Sequence, residues 1–96
     1  MASEWSVYMI LASDRSLYTG ISTDVERRFL QHQRGAGAKY FHAGRQPQQV
    51  VFYEPGHDRS SASRREAAIK KLPRSEKLRL AEACTQMPAD HSRTET

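Results

Sequence analysis

The chain has 96 residues, is 38% hydrophobic and 27% charged, and carries a formal charge of +4. This length and composition suit one globular domain, and we expect neither a membrane span, which needs about 20 apolar residues, nor a secretory signal. Cys84 is the one cysteine, which excludes an intrachain disulfide and a cysteine-based zinc site and favours the reducing cytoplasm.

The first predicted element is a β-hairpin. Two apolar runs, Trp5 to Leu11 and Leu17 to Ile21, flank a polar, turn-favouring stretch at residues 13–16. The hairpin would bring the phenols of Tyr8 and Tyr18 close together. Phenols donate and accept hydrogen bonds and take a proton when their pKa is lowered, although most cross-strand tyrosine pairs only pack.

A helix is predicted next. Thr23 with Glu26 fits a capping box, and the helix should end near Gln33, before a glycine-rich loop. Val25 and Phe29 are four residues apart and predict its buried stripe. A different face carries two polar residues with the same spacing, Arg28 and His32.

The second half of the chain predicts a third strand and two helices. The strand is expected at residues 49–53 and should end before Pro55-Gly56. A helix should run from Ser60 or Ser61 to about Leu72, and Pro73 should open a last helix that ends near Ala83.

The resulting order, ββαβαα, predicts an α+β fold in which three helices flank a three-stranded antiparallel sheet. We expect one domain over residues 1–84 and a disordered tail over the polar, aperiodic residues 85–96. Positive charge is concentrated at residues 57–79, with eight basic and three acidic side chains. A folded basic surface suits nucleic-acid phosphate, although many soluble domains are mildly basic without binding nucleic acid.

Four segments, in this order and spacing, resemble the GIY-YIG nuclease superfamily, and the small single-domain YhbQ-like bacterial branch within it. Ser6-Val7-Tyr8 stands at the first tyrosine motif and Tyr18-Thr19-Gly20 at the second. The segment 23–32 resembles the helix that carries an arginine, and 64–72 resembles the segment that carries a glutamate. The likeness extends from about Trp5 to Leu80 and includes the loop at 35–40 and Asp58-Arg59-Ser60.

The resemblance implies catalytic roles for five residues of a phosphodiesterase. Glu66 would bind one Mg²⁺ or Mn²⁺ ion, and Arg28 would hold a phosphate oxygen. Tyr8 or His32 would act as the general base, a choice that the sequence leaves open, and Tyr18 would position its partners. Without the resemblance, Glu66 is better interpreted as an exposed helix carboxylate paired with Lys70.

Nucleic-acid contacts are predicted in the central loop and on the second helix. Gly20 would allow close backbone approach, bases could stack on Tyr40, and Phe41 could either stack or enter the core. Basic residues would follow the phosphate backbone: Lys39, Arg45, Arg64, Arg65, Lys70 and Lys71.

The sequence departs from the family pattern in three places. The first motif has Ser-Val-Tyr, the second has Thr19, and an asparagine of some branches has no counterpart because the chain contains no Asn. The tyrosines and Gly20 are kept. We therefore predict a Mg²⁺-dependent endonuclease acting on branched, nicked or damaged DNA, in repair or recombination. The alternatives are a catalytically weak or inactive DNA- or RNA-binding module and a domain that recruits another nuclease.

Overall fold

The computed structural model describes residues 4–35, 41 and 45–84. Six elements follow one another in the order ββαβαα, which confirms the predicted fold class. The elements are β1 (Trp5–Ala12), β2 (Leu17–Ser22), α1 (Val25–Gln33), β3 (Pro47–His57), α2 (Arg59–Lys70) and α3 (Arg74–Ala83). The predicted disordered tail, residues 85–96, lies outside the described residues.

The sheet has the order β2-β1-β3, and both strand pairs are antiparallel. The central strand β1 is buried on both faces, since Val7, Tyr8, Met9 and Ile10 are at most 1% exposed. Because successive side chains of a strand point to opposite faces, these residues supply two separate cores.

One core lies between the sheet and α2. It joins Val7 and Met9 of β1 to Phe52 of β3 and to Ala62 and Ile69 of α2. The other core contains Tyr8 and Ile10 of β1, Val25 of α1, and Phe41. The helices thus cover the sheet from both sides, and no helix of the described ranges is long and apolar enough to cross a membrane.

Helix α1 begins one residue later than the capping-box prediction. Asp24, not Thr23, is the N-cap, and its carboxylate accepts a hydrogen bond from the backbone N–H of Arg27. The helix ends at Gln33, as predicted, and Gly35 follows with φ +79°. A carboxylate at this position also complements the positive end of the helix dipole.

The prediction that β3 ends before Pro55-Gly56 is wrong, because the strand continues to His57. The register shifts between the Trp5↔His57 and Val7↔Glu54 pairs, and Gly56 has φ +88° inside this bulge. Since β3 is an edge strand, an irregularity there removes few ladder hydrogen bonds, so proline and glycine are tolerated.

The last two helices differ from prediction only at their ends. Helix α2 stops at Lys70, two residues early, and its N-cap Asp58 forms a capping box with Ser61. Helix α3 begins at Arg74, and Pro73 is its N-cap rather than its first residue, with an extended ψ of 160°.

Candidate active site

The two tyrosines of the hairpin project from the same face of the sheet. Tyr8 lies opposite Gly20 and Tyr18 lies opposite Ile10, so both phenols stand on the side of the sheet that faces α1. Their ring centroids are 6.2 Å apart. The hairpin therefore brings the phenols together, as its spacing predicts.

Gly20 provides the space that the Tyr8 phenol occupies. A Cβ atom at Gly20 would lie 2.6 Å from the Tyr8 hydroxyl oxygen, 2.8 Å from its Cζ and 3.1 Å from Cε2 of Tyr18. The phenol therefore extends across β2, an edge strand. Gly20 therefore allows the close approach of the Tyr8 side chain. A contact between Gly20 and nucleic acid stays a prediction.

His32 is buried beside this phenol rather than on a polar helix face. It is 1% exposed, and its Nε2 lies 3.1 Å from the Tyr8 hydroxyl. The rings of Tyr18 and Phe41 enclose it, with centroids 5.2 Å and 4.9 Å away. Of the two predictions for Phe41, entry into the core is the one observed, since Phe41 is 5% exposed.

The imidazole of His32 is neutral at physiological pH. Burial, and secondarily the positive charge of Arg28, lowers the pKa of His32 to about 4. A neutral imidazole has one nitrogen that accepts a hydrogen bond, so Nε2 can accept the Tyr8 hydroxyl proton when Nδ1 carries the ring proton. His32 is thus unprotonated and able to accept a hydrogen bond from Tyr8.

Arg28 is held by its helix neighbour Gln31. Its Nη1 donates a hydrogen bond to Oε1 of Gln31 at 3.0 Å, and its guanidinium is near enough to the Tyr8 phenol to act on the pKa of that group. Gln31 did not stand out in the sequence, because a lone polar helix residue has no distinctive spacing. Its proximity to Arg28, three residues earlier on one helix, is the signal that could have found it.

Burial raises the pKa of Tyr8 above that of a free phenol. The neighbouring Tyr18 raises it further, Arg28 opposes the rise, and the Glu66 carboxylate adds to it. The phenol is therefore protonated at neutral pH, and Tyr8 can take a proton from water only as it gives its own to an acceptor.

Glu66 lies on α2, the helix that packs against the other face of the sheet. It lies on the same stripe of the helix as Ala62 and Ile69, both fully buried against the sheet, and its side chain is 24% exposed. Helix α2 packs on β2, the strand that the Tyr8 phenol crosses. The carboxylate is consequently close enough for its charge to act on the pKa of Tyr8.

The Glu66 carboxylate is paired with Lys70 one turn later, at 3.1 Å between Nζ and Oε2. Among the described residues, no group of three or more His, Cys, Asp or Glu could hold a metal ion. A single, partly exposed carboxylate nevertheless fits Mg²⁺, which keeps several of its waters and is often bound by one or two carboxylates together with substrate phosphate. Glu66 alone would be the protein ligand.

Most of the basic residues predicted to contact nucleic acid also have a partner within the protein. Arg45 forms an ion pair with Asp14 at 2.8 Å, and Arg65 forms one with Glu54 at 3.0 Å. Arg64 donates to the Ser60 hydroxyl. Lys71 is exposed to solvent. Lys39 and Tyr40 lie outside the described residues.

Known proteins resemble this chain over most of its length. The profile of the GIY-YIG catalytic domain matches residues 4–79. A UPF0213 protein of Xanthomonas axonopodis pv. citri is 49% identical over 77% of this chain and 72% of its own length. The UPF0213 protein YhbQ of Escherichia coli is 49% identical over 79% of this chain and 75% of its own.

A solved structure has the same fold. The solution NMR structure of the UPF0213 protein BH0048 from Bacillus halodurans superposes with a TM-score of 0.54 at 34% sequence identity, covering 95% of this chain and 93% of that one. The predicted family likeness is therefore confirmed by sequence and by structure.

Proposed function

Because the chain belongs to the GIY-YIG catalytic domain family, a family of nucleases, we propose that it is a metal-dependent DNA endonuclease. We propose further that it selects branched, nicked or damaged duplexes and serves DNA repair or recombination in the cytoplasm of a bacterium. RNA is a second candidate substrate.

One observation carries the proposal: the buried Tyr8 hydroxyl contacts His32 and lies within the electrostatic influence of Arg28 and Glu66. Its oxygen is 3.1 Å from Nε2 of His32, and Arg28 and Glu66 act on the pKa of Tyr8 in opposite directions. A buried tyrosine that only stabilised the sheet would need one hydrogen-bond partner, and a guanidinium and a carboxylate near the same phenol go beyond that need. Perturbed titratable groups gathered in this way are typical of catalytic sites.

The proton path follows from these contacts. An attacking water would give its proton to the Tyr8 oxygen while Tyr8 passes its own proton to Nε2 of His32. This relay assigns both candidate bases a role, since Tyr8 contacts the water and His32 is the neutral acceptor behind it. Tyr18 borders both rings and fixes their orientation.

Arg28 and Glu66 would stabilise the reacting phosphate, Arg28 directly and Glu66 through a bound metal ion. The guanidinium is charged at every relevant pH and can stabilise the negative charge that develops on the phosphoryl oxygens. Glu66 would hold the ion, and Mg²⁺ or Mn²⁺ bound there would supply Lewis-acid polarisation of the phosphate and stabilisation of the leaving oxygen.

The structure selectivity is proposed from the small size of the domain. Three short helices and three strands leave little surface for reading base edges, so DNA shape and deformability would determine where the enzyme acts. Basic side chains of α2 and of the residue that caps its C-terminus would contact the phosphate backbone: Arg64, Lys70 and Lys71.

The test is a Mg²⁺-dependent cleavage assay on forked, flapped, nicked and intact duplex DNA. Wild type should cut at least one branched or nicked substrate, while Glu66→Gln and Arg28→Ala should lose activity by about 100-fold or more. Glu76→Gln is the matched control, because Glu76 is an exposed carboxylate on α3 and its loss should leave cleavage unchanged.

The rival function is nucleic-acid binding without turnover. It would be supported if wild type bound the DNA panel but cut none of it, or if Glu66→Gln cut as fast as wild type. Cleavage of single-stranded RNA in preference to DNA would keep the catalytic site but overturn the proposed substrate.

A further inference from the structure

The side chain that contacts the proposed metal ligand is a cation. Lys70 Nζ lies 3.1 Å from Oε2 of Glu66, and the lysine side chain is 53% exposed whereas that of Glu66 is 24% exposed. The pair has the favourable helix arrangement, with the carboxylate four residues before the ammonium. Lys70 therefore occupies Oε2 of the carboxylate.

An ammonium and a divalent cation cannot share this position. Both are positive, and their repulsion a few ångströms apart adds to the loss of the carboxylate contact. An exposed ion pair of this kind contributes little stability, and the flexible lysine stem lets its charged end move into solvent without disturbing the helix. Displacement of Lys70 from Glu66 therefore costs little free energy.

We propose that Lys70 competes with the divalent ion for Glu66 and, once displaced, contacts a phosphate of the nucleic acid beside the metal site. The inference rests on the proposed function, because it takes Glu66 as the metal ligand. It predicts coupling: the ion frees a cation for the nucleic acid and so raises its affinity, and the nucleic acid raises the affinity for the ion by the same factor. Lys70 is thus a residue that tunes the affinity for metal rather than a permanent part of a phosphate track.

The first measurement is a titration with Mn²⁺ alone, in which the electron paramagnetic resonance signal of free Mn²⁺ reports binding. Lys70→Gln should bind Mn²⁺ about threefold or more tightly than wild type, because an opposing charge is gone. Lys71→Gln is the control: it removes the same charge from the next residue, which is exposed. Its Mn²⁺ affinity should stay within about 1.5-fold of wild type, since exposed charges farther from Glu66 are largely screened at physiological salt.

Glu66→Gln separates failure of this inference from failure of the proposed function. If Glu66→Gln binds Mn²⁺ as tightly as wild type, Glu66 is not the ligand and the proposed metal site is overturned. If Glu66→Gln loses Mn²⁺ while Lys70→Gln and Lys71→Gln bind it equally well, the metal site stands and only competition by Lys70 is overturned. Equal thermal unfolding midpoints would show that all three variants fold.

The second measurement tests the release of Lys70 toward phosphate. Affinity for a nicked duplex with phosphorothioate linkages, which resist cleavage, is measured with and without Mn²⁺. The ratio of DNA affinity with Mn²⁺ to DNA affinity without it should be at least twofold larger for wild type and for Lys71→Gln than for Lys70→Gln. An equal Mn²⁺ effect in the three proteins would overturn the coupling.

Discussion

The hydroxyl of Tyr8 and Nε2 of His32 lie 3.1 Å apart in the interior of the domain, and each residue is 1% exposed. Tyr8 comes from the central strand and His32 from α1, so this contact joins the sheet to the helix that carries Arg28. Since a buried polar pair loses its hydrogen bonds to water, each group depends on the other. The contact is both a structural link and the centre of the proposed chemistry.

His32 should make the fold less stable at mildly acid pH. The unfolded chain takes up a proton at His32 below pH about 6.5, whereas the folded protein does so only near pH 4, where its lowered pKa lies. Stability is therefore lost as pH falls through this window, by up to roughly 3 kcal/mol. Denaturant unfolding of wild type and His32→Gln at several pH values measures this loss. The difference between their free energies of unfolding should shrink from pH 7 to pH 4. A constant difference would contradict the burial of a neutral imidazole.

Gly20→Ala should displace the Tyr8 phenol. The added Cβ would lie 2.6 Å from the hydroxyl and 2.8 Å from Cζ, so the ring must leave the position in which it contacts His32. We expect a loss of about 1–3 kcal/mol in the free energy of unfolding and a fall in cleavage rate. The same substitution in Tyr8→Phe should cost less, because the nearest atom is gone. Equal losses of stability in the two backgrounds would show that the Tyr8 hydroxyl is not what Gly20 accommodates.

Gln31→Ala should weaken catalysis without weakening the fold. Loss of the 3.0 Å hydrogen bond leaves the Arg28 guanidinium free to move, and we expect a single-turnover cleavage rate about tenfold lower. In an Arg28→Ala background, Gln31→Ala should have no further effect, because its partner is absent. An additive loss in the double variant would assign Gln31 a role independent of Arg28.

Lys71 and Arg65 should differ in what their removal changes. Lys71→Ala should lower the dependence of DNA affinity on log salt concentration by about 1, as expected for one lost phosphate contact. Arg65→Ala should also lower stability, because Arg65 pairs with the half-buried carboxylate of Glu54. Salt titrations of binding and thermal unfolding measure the two effects. An unchanged slope for Lys71→Ala would remove that residue from the predicted interface.

Local patterns predicted most of the fold. The hairpin and α3 were predictable because alternating apolar residues, turn residues and Pro73 act over a few positions. The end of β3 was not predictable, since Pro55-Gly56 would stop a central strand, whereas an edge strand accommodates it in a bulge. Strand order decides between these outcomes, and that order depends on contacts distant in sequence.

The candidate site was predictable in its residues but not in its environment. Family resemblance pointed to Tyr8, Arg28 and Glu66, whereas helical spacing placed His32 on a polar face and so missed its burial. Its enclosure depends on Phe41 and Tyr18, which approach from a loop and from another strand. The pairing of Glu66 with Lys70, by contrast, follows from their four-residue spacing and is observed.

The measurement that tests the central claim most directly is the single-turnover cleavage rate of Tyr8→Phe at saturating DNA with Mg²⁺. The substitution removes one oxygen and keeps the ring, so DNA affinity should stay within about twofold of wild type. Loss of the proton relay should lower the rate by about 100-fold or more. A Tyr8→Phe protein that cleaves DNA as fast as wild type would contradict the account.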